Sequence, residues 1–165
     1  MKDSIMKNKS VLAVDSQMDL LQTLEEEILS ACPECRLDMA TTFEDGRQLM
    51  LLLTYDLVIS DIMNAPGCDL IDLAASRNFP VLVLSDNGSS DEALNQSNGM
   101  KIRAVLPKEN LNEIVPTVEE VLKYECMPGW KRALEKLDSI ANFFLKILLP
   151  KSLNSTPPPD RQIFY

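Results

Sequence analysis

The sequence predicts an α/β fold, a doubly wound five-stranded parallel sheet followed by a C-terminal helix. Three observations predict it. Short, almost wholly apolar runs recur through the first 125 residues. Helical patterns separate them. Most of the runs stop at an acid, a hydroxyl or a lysine. Apolar runs of four or five residues read as strands buried on both faces, the pattern of parallel sheets. Alternation of strand and helix implies right-handed crossovers with helices on both faces of the sheet.

Each element has its own signal. Ser10–Val14 is the first strand and ends at Asp15. The helix Asp19–Ser30 carries Leu20, Leu21, Leu24, Ile28 and Leu29 on one stripe, with Glu25, Glu26 and Glu27 turned to water. Asp19 and the polar residues before it suit a helix N-terminus. Arg36–Ala40 is the second strand, and Glu44–Leu53 a helix that breaks at Thr54-Tyr55. Asp56–Ser60 is the third strand and stops at Asp61. Asn64-Ala-Pro-Gly67 reads as a turn, followed by a short helix over Asp69–Ser76. Pro80–Leu84 is the fourth strand, ending at Ser85. Asn87-Gly88 marks a loop, and Ser90–Asn98 a helix with only Ala93 and Leu94 apolar, expected to be exposed and mobile. Ile102–Leu106 is the fifth strand and leads into Pro107-Lys108. Asn110–Tyr124 is an amphipathic helix with Pro116 in its early turns.

Composition bounds the function. The chain has 165 residues, 45% of them apolar and 25% charged, enough for one domain and an appendage. A net charge of -9 argues against DNA or RNA as a direct partner, because such binding leans on Lys and Arg neutralising phosphates. Absence of His excludes His-assisted nucleophiles and His-ligated metals. No apolar run reaches the length of a membrane span. The opening MKDSIMKNKS has no apolar stretch behind its lysines, so no secretory signal is expected and a cytoplasmic location is. Cys32, Cys35, Cys68 and Cys126 are then expected as reduced thiols. Cys32-Pro-Glu-Cys35 follows a helical run and opens a loop, which favours a structural loop over a redox pair or a zinc half-site lacking its second pair.

In doubly wound sheets, function gathers at the carboxyl ends of the strands. That rule singles out Asp15, Asp61, Ser85 and Lys108. One carboxylate can act as a nucleophile toward phosphorus, and a second can hold Mg²⁺, which favours oxygen ligands. A hydroxyl and an ammonium can hydrogen-bond the remaining phosphoryl oxygens. Taken singly, such residues are as easily helix caps and turn formers; four of them at separate strand ends make phosphoryl transfer the stronger reading.

Those residues and their surroundings resemble the receiver domain of bacterial two-component response regulators. The matching pieces are Val11-Leu-Ala-Val-Asp15, Asp56-Leu-Val-Ile-Ser-Asp61-Ile-Met, Pro66-Gly67, Pro80-Val-Leu-Val-Leu-Ser85 and Leu106-Pro-Lys108. The resemblance covers residues 9–124. It implies a flavodoxin-like sheet in the order 2-1-3-4-5 and a phosphoryl group passed from a histidine kinase or phosphotransfer protein onto an aspartate with Mg²⁺. It makes Asp61 the phosphoacceptor and Asp15 one of an acidic pair. Asp15 and Asp61 would ligate the metal, together with the main-chain carbonyl of Met63. Ser85 and Lys108 would contact the phosphoryl group. The chain departs from the family pattern in a short stretch from Asp61 to Ser85, which trims its helix, and at four further places. Ser16 stands where the second acid, a metal ligand, is usual. Asp86 follows the switch hydroxyl where a small residue is usual, and is a candidate compensating ligand or a source of repulsion. Val105 replaces the usual aromatic. Pro107 precedes the lysine, where the family has a proline after it.

Residues 1–125 carry a net charge of -12 and residues 126–165 one of +3. The sequence therefore divides into a receiver-like domain (9–125), an amphipathic arm (126–149) and a Pro-rich tail (150–165) expected to be disordered. In the arm, Trp130, Leu134, Leu137, Ala141, Phe144 and Leu148 fall on one helical stripe. It would pack on its own domain, pair with a second copy as a homodimer, dock a partner, or lie on a membrane surface. The leading functional reading is phosphorelay signalling with output through an unknown protein target, not turnover of a metabolite. The alternative is a phosphorylation-independent pseudo-receiver acting as an adaptor or dimerisation module. A phosphohydrolase is disfavoured, because Asp61 is followed by Ile62 and Met63, with no second acid to protonate a leaving group.

Overall fold

The computed structural model describes residues 4–61, 65–86 and 102–127. The chain divides into two units, Met1–Cys126 and Met127–Tyr165. All described residues but Met127 belong to the first. The expected helix at 90–98, the arm stripe at 130–148, the tail and Met63 lie outside the described residues.

The strands are β1 (Ser10–Val14), β2 (Arg36–Ala40), β3 (Leu57–Asp61), β4 (Val81–Ser85) and β5 (Ile102–Pro107). All neighbours pair parallel, in the order β2-β1-β3-β4-β5. The helices are α1 (Met18–Ala31), α2 (Phe43–Leu52), α3 (Ala65–Ser76) and α4 (Ile114–Cys126). The architecture expected from the sequence, a five-stranded parallel sheet in that order, is the one observed.

Strand alternation divides the core into two layers. Val11, Ala13, Leu57, Ile59, Leu82 and Leu84 face Leu21, Leu24 and Ile28 of α1 and Ile114, Val118 and Leu122 of α4. Leu12, Val14, Val58, Val81 and Val83 face Met50 of α2 and Leu70, Ile71 and Ala74 of α3. Each fully buried aliphatic side chain here is worth about 2 kcal/mol against exposure. With both faces covered, β3 and β4 are buried at every position, which is why they read as unbroken apolar runs. Met6 is also fully buried in the α1/α4 layer, and Ser4 Oγ donates to Glu119 Oε1 at 3.2 Å. The packed structure therefore begins before residue 9.

Two helix starts differ from expectation. Asn64-Ala-Pro-Gly67 is not a separate turn: α3 begins at Ala65 and runs through Pro66 and Gly67. Proline is well placed in a first helical turn, where its missing N–H has no intrahelical partner to lose. The final helix does not start at Asn110. Lys108–Glu113 forms a 3₁₀ segment, with Asn110 out of helical geometry (φ -108°, ψ 32°), and α4 begins only at Ile114. Pro116 is the physical reason. It cannot donate to the carbonyl four residues back, so it fits an α-helix only within the first turn.

α2 is better capped than its sequence suggested. Thr42 accepts from the Asp45 N–H at 3.2 Å, a side-chain N-cap, and donates its hydroxyl to Asp45 Oδ2 at 2.7 Å. The Cys32-Pro-Glu-Cys35 segment closes a turn through Cys35 N–H to Cys32 C=O at 3.0 Å. Both thiols are free and buried, and burial pushes the Cys35 thiol up to about 11, which keeps it protonated and unreactive at neutral pH.

Gly46 and Met50 are the buried residues of α2, and Gly46 lies directly against the Val14 side chain. A Cβ there would stand 2.9 Å and 3.1 Å from the two γ-methyls of Val14. Valine has little rotameric freedom to move aside. Gly46→Ala would gain about 1 kcal/mol of helix propensity. Overpacking a core costs roughly 1–3 kcal/mol. We expect the clash to win, so that Gly46→Ala lowers stability by about 1 kcal/mol in urea unfolding, whereas alanine at an exposed helical position such as Gln48 leaves it unchanged.

Candidate functional site

The carboxyl ends of β1, β3 and β4 and the residue after β5 meet at one edge of the sheet. Register does this work: Asp61 lies opposite Leu84, and Ser85 opposite Pro107. Asp15 follows β1, with its N–H bonded to Ala40 C=O of β2 at 3.2 Å. Lys108 follows β5 directly. Pro107 lies on the edge strand β5, where a missing N–H is tolerated.

Lys108 Nζ is the centre of the cluster. It donates to Asp61 Oδ2 at 2.9 Å and lies 3.0 Å from Asp15 Oδ2 and 3.7 Å from Asp86 Oδ1. Side-chain exposure is 10% for Lys108, 1% for Asp15 and 7% for Asp61, against 42% for Asp86. Two of the three carboxylates thus lie on a buried floor and the third at the rim. Burial by itself would lower the pKa of the Lys108 ammonium. The contacts with Asp61 and Asp15, and the charge of both, outweigh that and raise it. Lys108 is therefore a cation at any physiological pH.

The two oxygens of Asp15 have different surroundings. Oδ1 accepts from the Gln17 N–H at 2.8 Å, an Asx-type turn that leads into α1. Oδ2 faces Lys108 in an ion-pair contact that lacks hydrogen-bond geometry, so this buried oxygen has no hydrogen bond among the described residues. Ser85 Oγ, buried in a residue only 1% exposed, likewise has none. Buried polar atoms are nearly always satisfied, so a hydroxyl with no hydrogen bond, beside a carboxylate oxygen held only by its ion pair, marks a place where a ligand's polar atoms fit.

The cluster contains Asp15, Asp61, Asp86 and Lys108, with Ser85 buried on the strand that pairs with both β3 and β5. Ser16 is exposed and supplies no carboxylate. Among the described residues no three acids, cysteines or histidines converge as a metal centre. What sequence reading left open was the direction of Asp86, which the structure turns toward Lys108. Among the described residues, no helix is long and apolar enough to cross a membrane.

Comparison with known proteins gives one kind of match. No family model matches the sequence, and no curated protein does. Solved structures do match. The receiver domain of a Francisella response regulator superposes with a TM-score of 0.61 at 20% identity, over 70% of this chain and 98% of that one. The signal receiver domain of an HD domain-containing protein from Pseudomonas fluorescens gives 0.59 at 24% identity, over 72% and 97%. A phosphorylated cyanobacterial phytochrome response regulator gives 0.60 at 14% identity, over 73% and 97%. The chain has the receiver-domain fold.

Removing the ammonium from this cluster would leave two buried carboxylates facing each other uncompensated. Breaking a buried ion pair from one side costs roughly 3–5 kcal/mol. Lys108→Met should therefore lower the stability by about 3 kcal/mol near neutral pH, measured by urea unfolding. Adding Asp61→Asn should recover part of that loss, since one of the two stranded charges is then gone.

Proposed function

We propose that this chain is a phosphorelay receiver that accepts a phosphoryl group on Asp61 and acts through protein contact. The observation that carries the reading is the Lys108 ammonium 2.9 Å from Asp61 and 3.0 Å from Asp15, on a strand-end edge that also buries the unpartnered Ser85 hydroxyl. Asp61 Oδ is the nucleophile. It forms an O–P bond as the bond from phosphorus to the donor breaks, and the donor atom leaves with the electron pair. From a phosphohistidine of a kinase or phosphotransfer protein, the leaving atom is an imidazole nitrogen. Lys108 and Ser85 would then hydrogen-bond phosphoryl oxygens, relieving both the ammonium's confinement and the orphaned hydroxyl.

The donor set suits Mg²⁺, an ion commonly held by one or two carboxylates and completed by water. Asp15, through the Oδ2 that now faces Lys108, and Asp61 would hold it, with the Met63 carbonyl as a further donor from outside the described residues. When bound, it supplies positive charge against the phosphoryl oxygens. Ser16 contributes no charge to that set.

The test is covalent labelling. Incubated with acetyl phosphate and excess Mg²⁺, the full chain should gain one phosphoryl unit by intact mass. Asp61→Asn should abolish the gain, and a gain that survives this change would place the chemistry elsewhere. A second reading, a pseudo-receiver that binds its partner without phosphorylation, is favoured by one feature, the neutral exposed Ser16 in place of an acid. Under that reading beryllofluoride with Mg²⁺ leaves the amide NMR signals of Asp15, Asp61 and Lys108 unmoved. Under the first reading it shifts all three.

A further inference from the structure

Asp86 is the one charged member of the cluster that the proposed chemistry does not use. Its carboxylate stands 3.7 Å from Lys108 Nζ, farther than those of Asp15 and Asp61, and its side chain is 42% exposed where theirs are buried. Its neighbour Ser85 is 1% exposed. Consecutive residues thus place the receiving hydroxyl on the floor and a negative charge above it at the rim. Asp86 does not converge with Asp15 and Asp61 as a three-acid metal centre.

We propose that Asp86 is a charge filter on this site: its carboxylate competes for Lys108 and repels strongly anionic phosphodonors, so that the chain accepts phosphoryl groups preferentially from donors of low net negative charge. The inference rests on the phosphoacceptor reading of Asp61 and adds the donor class. A group arriving at Asp61 needs Lys108 and Ser85 as hydrogen-bond donors, and both adjoin Asp86. A dianion that reaches the ammonium also comes close to that carboxylate, 3.7 Å from it. Like charges brought together at the mouth of a cleft slow association and weaken binding. Because Asp86 is part-exposed, salt should screen much of the effect. A donor whose leaving group is positively charged meets the filter as an attraction on that side and is not excluded.

Two small donors separate charge from chemistry. Acetyl phosphate is a dianion at neutral pH; phosphorus transfers to Asp61 as its bond to the acetate oxygen breaks, and acetate leaves with the electron pair. Phosphoramidate is a zwitterion of lower net charge with a protonated nitrogen; its P–N bond breaks, and the nitrogen leaves as ammonia. Labelling of the full-length wild type and of Asp86→Asn is followed by intact mass with each donor, at low and high salt, with Mg²⁺ saturating. Asp86→Asn should accelerate labelling by acetyl phosphate about fivefold or more at low salt, and labelling by phosphoramidate clearly less. The wild-type rate with acetyl phosphate should rise with salt, and that of the variant should not. Equal acceleration with both donors, or none, overturns the filter while leaving labelling at Asp61 intact. Slower labelling together with weaker Mg²⁺ binding, read from the Asp15 and Asp61 amide signals, overturns it in favour of a cation-ligand role for Asp86. No labelling of either protein by either donor overturns both this inference and the phosphoacceptor reading. A melting temperature equal to wild type confirms that Asp86→Asn is folded.

Discussion

Everything at the working edge of this protein depends on a buried ammonium. Lys108 is brought among Asp15 and Asp61 from far along the chain, and neither carboxylate nor ammonium could lie there alone. Desolvating three charges costs several kcal/mol per ion, and only near-contact geometry returns it. Such a cluster adds little to net stability, but it is intolerant of misregister. A one-residue slip of β1, β3 or β5 turns a side chain to the opposite face and strands a charge in the core. The ion pairs therefore form together only when three separate strands end in this register.

The apolar scaffold makes that meeting rigid. The alternation of Val11 and Ala13 against Leu12 and Val14 anchors β1 to both layers at once, so its end cannot move without disturbing α1 or α2. Gly46 extends this coupling. Its lack of a side chain lets α2 press on Val14, the residue immediately before Asp15. At the other end of the sheet, Asp56 accepts from Lys9 Nζ and from the Ser10 N–H, both at 2.9 Å, and ties the start of β1 to the start of β3. The sheet margins are protected by charge. Arg36 pairs with Asp38 on edge strand β2, and Arg103 on edge strand β5 pairs with Glu125 of α4.

What was legible in the sequence is what periodicity and strand-end chemistry encode. β3 and β4, buried at every position, announce themselves as unbroken apolar runs, and Asp61 and Ser85 stand out because each closes one. Boundaries set by proline were harder. Pro66 read as part of a turn because a proline beside a glycine usually marks one, yet the first turn of a helix accepts proline as readily. Pro116 was noticed, but a one-dimensional pattern does not show that it would defer α4 to Ile114 and leave Lys108–Glu113 as a 3₁₀ segment. Met6 escaped because a single methionine in a polar stretch has no period to reveal it. The direction of Asp86 is a property of the site's packing and of no local pattern.

The charge count of the site shows how its departures fit together. Measured against the family pattern it resembles, this chain has one acid fewer after β1, at Ser16, and one more after β4, at Asp86. The formal charge is unchanged, and its position has moved from the end of β1 to the end of β4. A floor charge faces whatever cation rests beside Asp15 and Asp61, within low dielectric where each charge is felt strongly. A rim charge, half in water, is screened from such an ion and is met first by a molecule approaching from outside. Under the proposed reading, a carboxylate at the rim would bear more on an arriving anion than on a cation beside Asp15 and Asp61. The Lys108 ammonium links the two effects, since it contacts floor and rim together at 2.9, 3.0 and 3.7 Å. Under the proposed reading, a phosphoryl group that draws the ammonium toward Asp61 would also pull it from Asp86 and leave the rim more negative.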